Sequence, residues 1–206
     1  MPPHIVLHDF LEHRIAADLL DYTLSRENSF EPTSVGRSDS MKLNADSRVS
    51  LSTRELGPFN AILKSRILNV VSDIAGKLGT SAVDAPELEF ELVAHNQGAF
   101  YSRHIDTDTT SQRRTLRVLS GVYYFHATPK AFSGGALRLF AIGNPARSDG
   151  RNYVDVEPSH NSLLVFPSWA PHQVMPVNCP SGRFADSRFA VNCWVHRIRA
   201  AAPKSA

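Results

Sequence analysis

No stretch of this chain approaches the roughly 18 consecutive apolar residues that a membrane-crossing helix needs, so no spanning segment is expected. Met1–Arg14 carries Asp9, Glu12 and several histidines where a secretion signal would need an apolar core. Cysteine is scarce. Cys179 and Cys193 are the only two, without CxxC spacing, and they read as reduced thiols rather than a disulfide framework, with one bridge between them left open. An excess of one charge is also missing: 22 Lys and Arg stand against 20 Asp and Glu, for a net +2. A nucleic-acid groove is therefore not expected, although Arg113-Arg114 and Arg117 form a local positive patch. Internal repeats and low-complexity segments are absent too. These absences together predict a soluble, cytoplasmic protein with no nucleic-acid or membrane partner.

What is present suffices for one well-packed domain over residues 1–206, since 42% of the chain is hydrophobic. Asp9–Glu27 spaces Phe10, Ile15, Leu19, Leu20 and Leu24 at helical intervals, with Asp9 as the expected N-cap. Leu56–Leu78 carries a broader stripe, including Phe59, Leu63, Ile67, Val71 and Ile74, and should end at Gly79. Residues 1–80 thus read as helical support, with Asn28–Ser50 a polar loop between the helices. From residue 87 to 197 short strands separated by turn residues predict a mainly β sandwich of the jelly-roll type, a double-stranded β-helix, with the helices packed outside. Gly134-Gly135 should turn the chain into Ala136–Phe140. Ala141–Tyr153 should be a surface loop and Ala200–Ala206 a frayed basic tail.

The chemistry concentrates in Leu92–Asp108, LVAHNQGAFYSRHIDTD, where His104 and Asp106 stand two residues apart. On a strand such residues project to one face and can reach one ion. Gly98 sits where a tight turn would join the halves of Leu88–His104. A third ligand is offered 66 residues beyond Asp106: a strand ending at Pro167 precedes a second beginning near His172. Two histidines and a carboxylate that leave other positions open suit a non-haem Fe(II) oxygenase, and zinc hydrolases use a similar set.

Ser187–His196 alternates so that Arg188, Ala190, Asn192 and Trp194 share one face and Phe189, Val191, Cys193 and Val195 the other. A guanidinium pointing inward is costly unless it meets an anion, and it holds a carboxylate in a two-pronged way. Arg188 is therefore suited to the far carboxylate of a dicarboxylic cosubstrate. His4, His8, His13, His160 and His196 lack a partner at ligand spacing, His126 reads as structural, and Trp169 and Trp194 read as core or rim aromatics.

From Leu88 to Arg197 the chain resembles the Fe(II)/2-oxoglutarate-dependent dioxygenases, and within them the prolyl 4-hydroxylase-like branch. The matching elements run in order: Gly98–Asp106, Arg117–Phe125, Ser133–Phe140, Asp155–Pro158, Leu163–Phe166, Pro171–Val177 and Arg188–Trp194. The resemblance implies that His104, Asp106 and His172 ligate iron. It implies that Arg188 anchors the C5 carboxylate of 2-oxoglutarate, with Tyr124 as its hydrogen-bonding companion and Tyr101 near the same pocket. His172 and Arg188 are further apart than is usual and Arg183 is nearer the usual offset; the strand pattern favours Arg188, with Cys179–Asp186 as an inserted loop. His95 stands where relatives often have tyrosine. Arg37, Arg48 and Ser50 are candidate substrate contacts.

The implied cofactors are Fe(II), 2-oxoglutarate and O2, with ascorbate a candidate accessory. The implied reaction is hydroxylation of an unactivated C–H bond in an amino-acid-like small molecule, peptide or protein, proline among the candidates. Asp106 argues against halogenation, because related halogenases lack the carboxylate ligand. Two other functions compete: a zinc-dependent hydrolase using the same three ligands, and a non-catalytic jelly-roll protein that binds a ligand.

Overall fold

The computed structural model describes residues 1–33, 46–80, 85–107, 114–143 and 152–198. Arg37, Arg113, most of the Ala141–Tyr153 loop and the Ala200–Ala206 tail lie outside the described residues.

The N-terminal third supplies β1 (Ile5–His8), helix α1 (His13–Ser25), short strands β2 (Glu31–Pro32), β3 (Arg48–Val49) and β4 (Leu51–Thr53), and helix α2 (Phe59–Lys77). Then come β5 (Glu87–His95), β6 (Phe100–His104), β7 (Thr115–Phe125), β8 (Ser133–Gly134) and β9 (Leu137–Phe140). The chain finishes with β10 (Tyr153–Val156), β11 (Ser162–Pro167), β12 (His172–Val174), β13 (Val177–Asn178) and β14 (Arg188–Ile198). Seven strands form a major sheet in the order β1-β11-β7-β14-β5-β4-β2, and five form a minor sheet in the order β10-β9-β12-β6-β3. The fold is mainly β, a jelly roll with two α-helices among the described residues.

Alternation along β14 fixes how the layers stack. Phe189, Val191, Cys193 and Val195 join Leu63, Ile67, Val71 and Ile74 of α2 and Leu19 of α1 in one apolar core on the outer face of the major sheet. Ala190, by contrast, joins Tyr124, Leu137, Leu139, Leu164 and Phe166 in a second cluster on the inner face. The stripe on α2 buries Phe59, Leu63, Ile67, Val71 and Ile74, as helical spacing requires. Its end is closed by Leu78 and Thr80 amides donating to the Ile74 and Ala75 carbonyls, on either side of Gly79.

Residues 1–80 are not helical support alone: β1, β2 and β4 extend the major sheet and β3 the minor one, and β2 and β3 fall within the Asn28–Ser50 stretch expected to be a loop. Two further expectations need correction. Helix α1 begins at His13 and Asp9 is not its N-cap. Asp9 lies in the left-handed region at φ 50°. Asn161 captures the following backbone, accepting from the Leu11 amide at 3.0 Å and donating to the Leu11 carbonyl at 2.8 Å. The second concerns Gly98, at φ 73°. It does turn the chain, but β5 belongs to the major sheet and β6 to the minor one. The turn therefore carries the chain between sheets and makes no hairpin. No helix among the described residues is long and apolar enough to cross a membrane.

Candidate active site

His104 closes β6 and His172 opens β12, and the two stand directly opposite in the antiparallel register of the minor sheet. Asp106 lies just past the strand, so alternation does not aim its carboxylate. Instead its amide and that of Thr107 donate to the Ser168 carbonyl at 3.0 and 3.1 Å, bending the chain back beside His172. Nε2 of His104 is 3.6 Å from Asp106 Oδ1, and Nε2 of His172 is 3.6 Å from Asp106 Oδ2. The ligand atoms all lie within 4.8 Å of one another.

The second ring nitrogens orient the imidazoles. His104 Nδ1 lies 2.8 Å from the Ser102 carbonyl and His172 Nδ1 2.9 Å from that of Ala170. Each Nδ1 donates to its carbonyl, which leaves the Nε2 lone pair for a metal. Burial and the neighbouring His172 push His104 down to about 4, keeping it neutral. Burial alone would raise the Asp106 carboxyl; His172, His104 and hydrogen bonds from Ser120 and Trp194 outweigh it and hold the carboxyl below its usual range. Two imidazoles with Nε2 free, beside an ionised carboxylate, are the donor set that a divalent cation takes.

Residues that hold this site in place were missed in the sequence. Ser120 donates to Asp106 Oδ2 at 2.6 Å and lies 2.9 Å from Ser168 Oγ. Trp194, read only as a core or rim aromatic, contributes with Ser120 to holding the Asp106 carboxyl low. Arg117 does not act as a free positive patch: its guanidinium covers the Trp194 ring at 3.9 Å and pairs with Glu89 at 2.7 Å. The face-sharing of Trp194 with Arg188 was the available signal. Ser120 had none.

On the inner face of the major sheet, Arg188 is 1% exposed. Its guanidinium lies 4.8 Å from the Tyr124 ring centroid and its Nη1 3.2 Å from His95 Nδ1. Burial lowers Arg188 and raises Tyr124 to about 12. Gly135, at φ 71°, makes room: a Cβ there would stand 2.6 Å from Arg188 Cδ. Arg183, by contrast, sits outside, paired with Asp186 at 2.8 Å. Among the described residues, the buried side-chain nitrogen and oxygen atoms without a partner are His95 Nε2, Tyr124 Oη, and Arg188 Nε and Nη2. Buried unpaired donors gathered in one place fit a carboxylate ligand such as the far end of 2-oxoglutarate.

Tyr101 is elsewhere in the pocket, stacked on His104 with ring centroids 3.6 Å apart, and Arg48 covers it at 4.9 Å. Arg48 is committed to Glu91 at 3.1 Å and to Ser50 at 3.0 Å, while Ser50 is 2.8 Å from Thr33. Glu91 also accepts from Asn192 at 3.3 Å. His126 packs against Phe132 and His160, as a structural histidine does. Cys179 and Cys193 are free and buried.

The chain is 36% identical over 149 residues to an uncharacterised PKHD-type hydroxylase of Synechocystis sp., the match covering 71% of this chain and 48% of the relative. It thus spans about half the length of that curated relative. Among solved structures it resembles a Pseudomonas putida prolyl-4-hydroxylase with a TM-score of 0.68 and 23% identity, over 97% of this chain and 95% of the other. It also resembles a Trichoplax adhaerens prolyl hydroxylase in complex with a hypoxia inducible factor peptide fragment, with a TM-score of 0.66 and 20% identity, over 93% and 82% of the chains. The family model matches residues 90–196, more than half of the chain, from within β5 to within β14. This protein belongs to the 2OG-Fe(II) oxygenase superfamily, the family defined by Fe(II) and 2-oxoglutarate.

Proposed function

We propose that this protein is a hydroxylase acting on an unactivated C–H bond of an amino-acid residue carried on a peptide or protein, or of an amino-acid-like small molecule, with proline the first candidate. One observation carries the reading: the face of the major sheet that carries the buried, partnerless donors of Arg188 and Tyr124 packs against the minor sheet, on which His104 and His172 of the two-histidine, one-carboxylate cluster stand. A zinc hydrolase would use the cluster but has no need of Arg188 and Tyr124. A non-catalytic jelly roll would need neither. The proline suggestion follows from the prolyl hydroxylases among the similar structures.

His104, Asp106 and His172 would hold the iron, which acts together with 2-oxoglutarate and O2. When bound, these supply an oxidation that replaces C–H by C–OH while 2-oxoglutarate leaves as succinate and carbon dioxide. The chain's own part is placement. Arg188 fixes the far carboxylate through two parallel N–H donors, and Tyr124 adds a hydroxyl. Ser120 holds the Asp106 carboxylate for the metal, and Trp194 helps keep it ionised. Tyr101, stacked on His104 and flanked by Arg48, walls the side on which a substrate would lie. Two free, buried cysteines fit a reducing compartment, and the cytoplasm is the proposed location.

The test is an anaerobic titration with Fe(II) and 2-oxoglutarate, watching for the weak visible charge-transfer band of the chelate. Wild type should develop the band and Arg188→Ala should need far more 2-oxoglutarate to do so. A well-folded wild type without any band would return the zinc hydrolase and the binding protein to contention.

A further inference from the structure

The proposed reaction leaves one buried imidazole of the pocket unused. His95, the last residue of β5, stands opposite Arg188 in the sheet register and is 3% exposed. Its Nδ1 lies 3.2 Å from Arg188 Nη1. A guanidinium only donates, so Nδ1 must accept, and a neutral imidazole then carries its single proton on Nε2. Burial, with Arg188 and Arg48 nearby, holds the ring well below its ordinary pKa and so keeps it neutral.

This has consequences on both sides of the contact. With Nη1 directed at His95, the guanidinium donors left without partners are Nε–H and Nη2–H, the parallel pair that a carboxylate accepts side by side. The Nε2–H of His95 is itself buried and partnerless. His95, Arg188 and Tyr124 sit on three adjacent strands, β5, β14 and β7. Together they own every unpaired buried side-chain donor among the described residues.

We infer that His95 is a positioning and recognition residue: it accepts from Arg188 Nη1, which leaves the Nε/Nη2 edge for a carboxylate, and it donates from Nε2 to an oxygen of the same bound dicarboxylate. The inference rests on the 2-oxoglutarate reading of the pocket. It sets a chemical requirement on position 95, which must both accept from an arginine and donate into the pocket. A glutamine amide can do both. A phenylalanine ring can do neither while filling similar space.

The experiment uses the Zn(II)-loaded protein, which is diamagnetic, labelled with 15N-histidine; His95→Gln assigns the signal. Two-bond 1H–15N correlations at neutral pH should show His95 protonated on Nε2, with that nitrogen shifting when 2-oxoglutarate is added. Protonation on Nδ1, or no shift on saturation, would overturn the inference. Calorimetric Kd values for 2-oxoglutarate supply the second arm. His95→Phe should bind roughly tenfold more weakly and His95→Gln should recover most of the loss. Equal affinity in all three proteins sinks the role of His95 and leaves the reading of the pocket standing. No binding by folded wild type sinks that reading and this inference with it. Should His95→Phe fail to fold, the tautomer and the glutamine variant still decide.

Discussion

The two faces of the major sheet are made by the same strands and obey opposite rules. On the outer face β14 presents Phe189, Val191, Cys193 and Val195 to the helices, and the core there is apolar but for the Tyr123 hydroxyl, which donates to Asn161. On the inner face the same strand presents Arg188, Ala190, Asn192 and Trp194 to a polar pocket that holds all of the partnerless buried side-chain donors among the described residues. A buried charge without a partner is destabilising, so the part of the inner face around Arg188, unlike its apolar cluster around Leu139 and Phe166, is not arranged for stability. The outer face makes the fold stable enough to tolerate the inner one, and a residue's face should decide whether its loss harms stability or chemistry.

The largest expected effect is chemical only. Asp106→Ala, or treatment of wild type with a chelator, should cut turnover about a thousandfold or more while the thermal midpoint stays near that of the metal-free wild type. Fe(II) added back should restore the chelated protein and not the variant. Substantial turnover by the variant would break the assignment of the inner face to metal chemistry.

Arg188→Met and Leu63→Ala sharpen the contrast directly. Arg188→Met removes a desolvated charge, so 2-oxoglutarate affinity should fall by about 2–5 kcal/mol while stability holds or rises. Leu63, fully buried under the outer face, should lose about 2–5 kcal/mol of stability as alanine while each folded molecule keeps its affinity. Denaturant midpoints and calorimetry on both proteins check the pair. If both variants lose stability equally, the two faces do not differ as described.

Trp194→Phe should have a smaller, mixed result. It keeps the ring under Arg117 but removes the indole N–H that helps hold the Asp106 carboxyl low, and metal affinity should drop about 10- to 100-fold, read by competition with a fluorescent chelator. This residue also marks where sequence reading stops. Alternation in β14 put Trp194 on the pocket side with Arg188, and the break between β11 and β12 placed His172 correctly, because strand period is a local property. The partners of Trp194 are not local. Ser120 meets Ser168, and Arg48 meets Glu91, only because the sheet registers bring distant strands together. The Gly98 turn was legible as a turn, but which sheet each side joins depends on those same registers. Asp9 met every local rule for a helix cap and was overruled by Asn161, far along the chain.

A pH series tests the inner face in another way. His95 is held below its ordinary value of 6.5 in the folded protein, so between that value and its folded pKa the unfolded chain binds more protons than the native one. Stability should therefore fall as pH drops below about 6.5, with His95 contributing a slope of at most about 1.4 kcal/mol per pH unit. His95→Gln should flatten the curve in that window. An unchanged slope would mean that His95 is not buried neutral.

The smallest effect belongs to the outer face and should have the opposite sign. Gly121 lies in β7, facing the space between α2 and the sheet, and a Cβ there would meet Leu163 Cδ1 at 3.5 Å and the Cys193 Cβ and carbonyl at 3.6 Å. Those are ordinary contacts. Alanine should add packing and restrict the unfolded chain, stabilising the protein by about 0.4–1 kcal/mol, or about 2 °C in Tm, with turnover unchanged. Gly135 shows why the same substitution fails on the other side. Its φ is positive and its Cβ would strike Arg188, so alanine there must displace the guanidinium that the pocket is built to hold. A destabilised Gly121→Ala would mean that the outer core is already filled and that the contrast between faces is one of polarity alone, not of spare room.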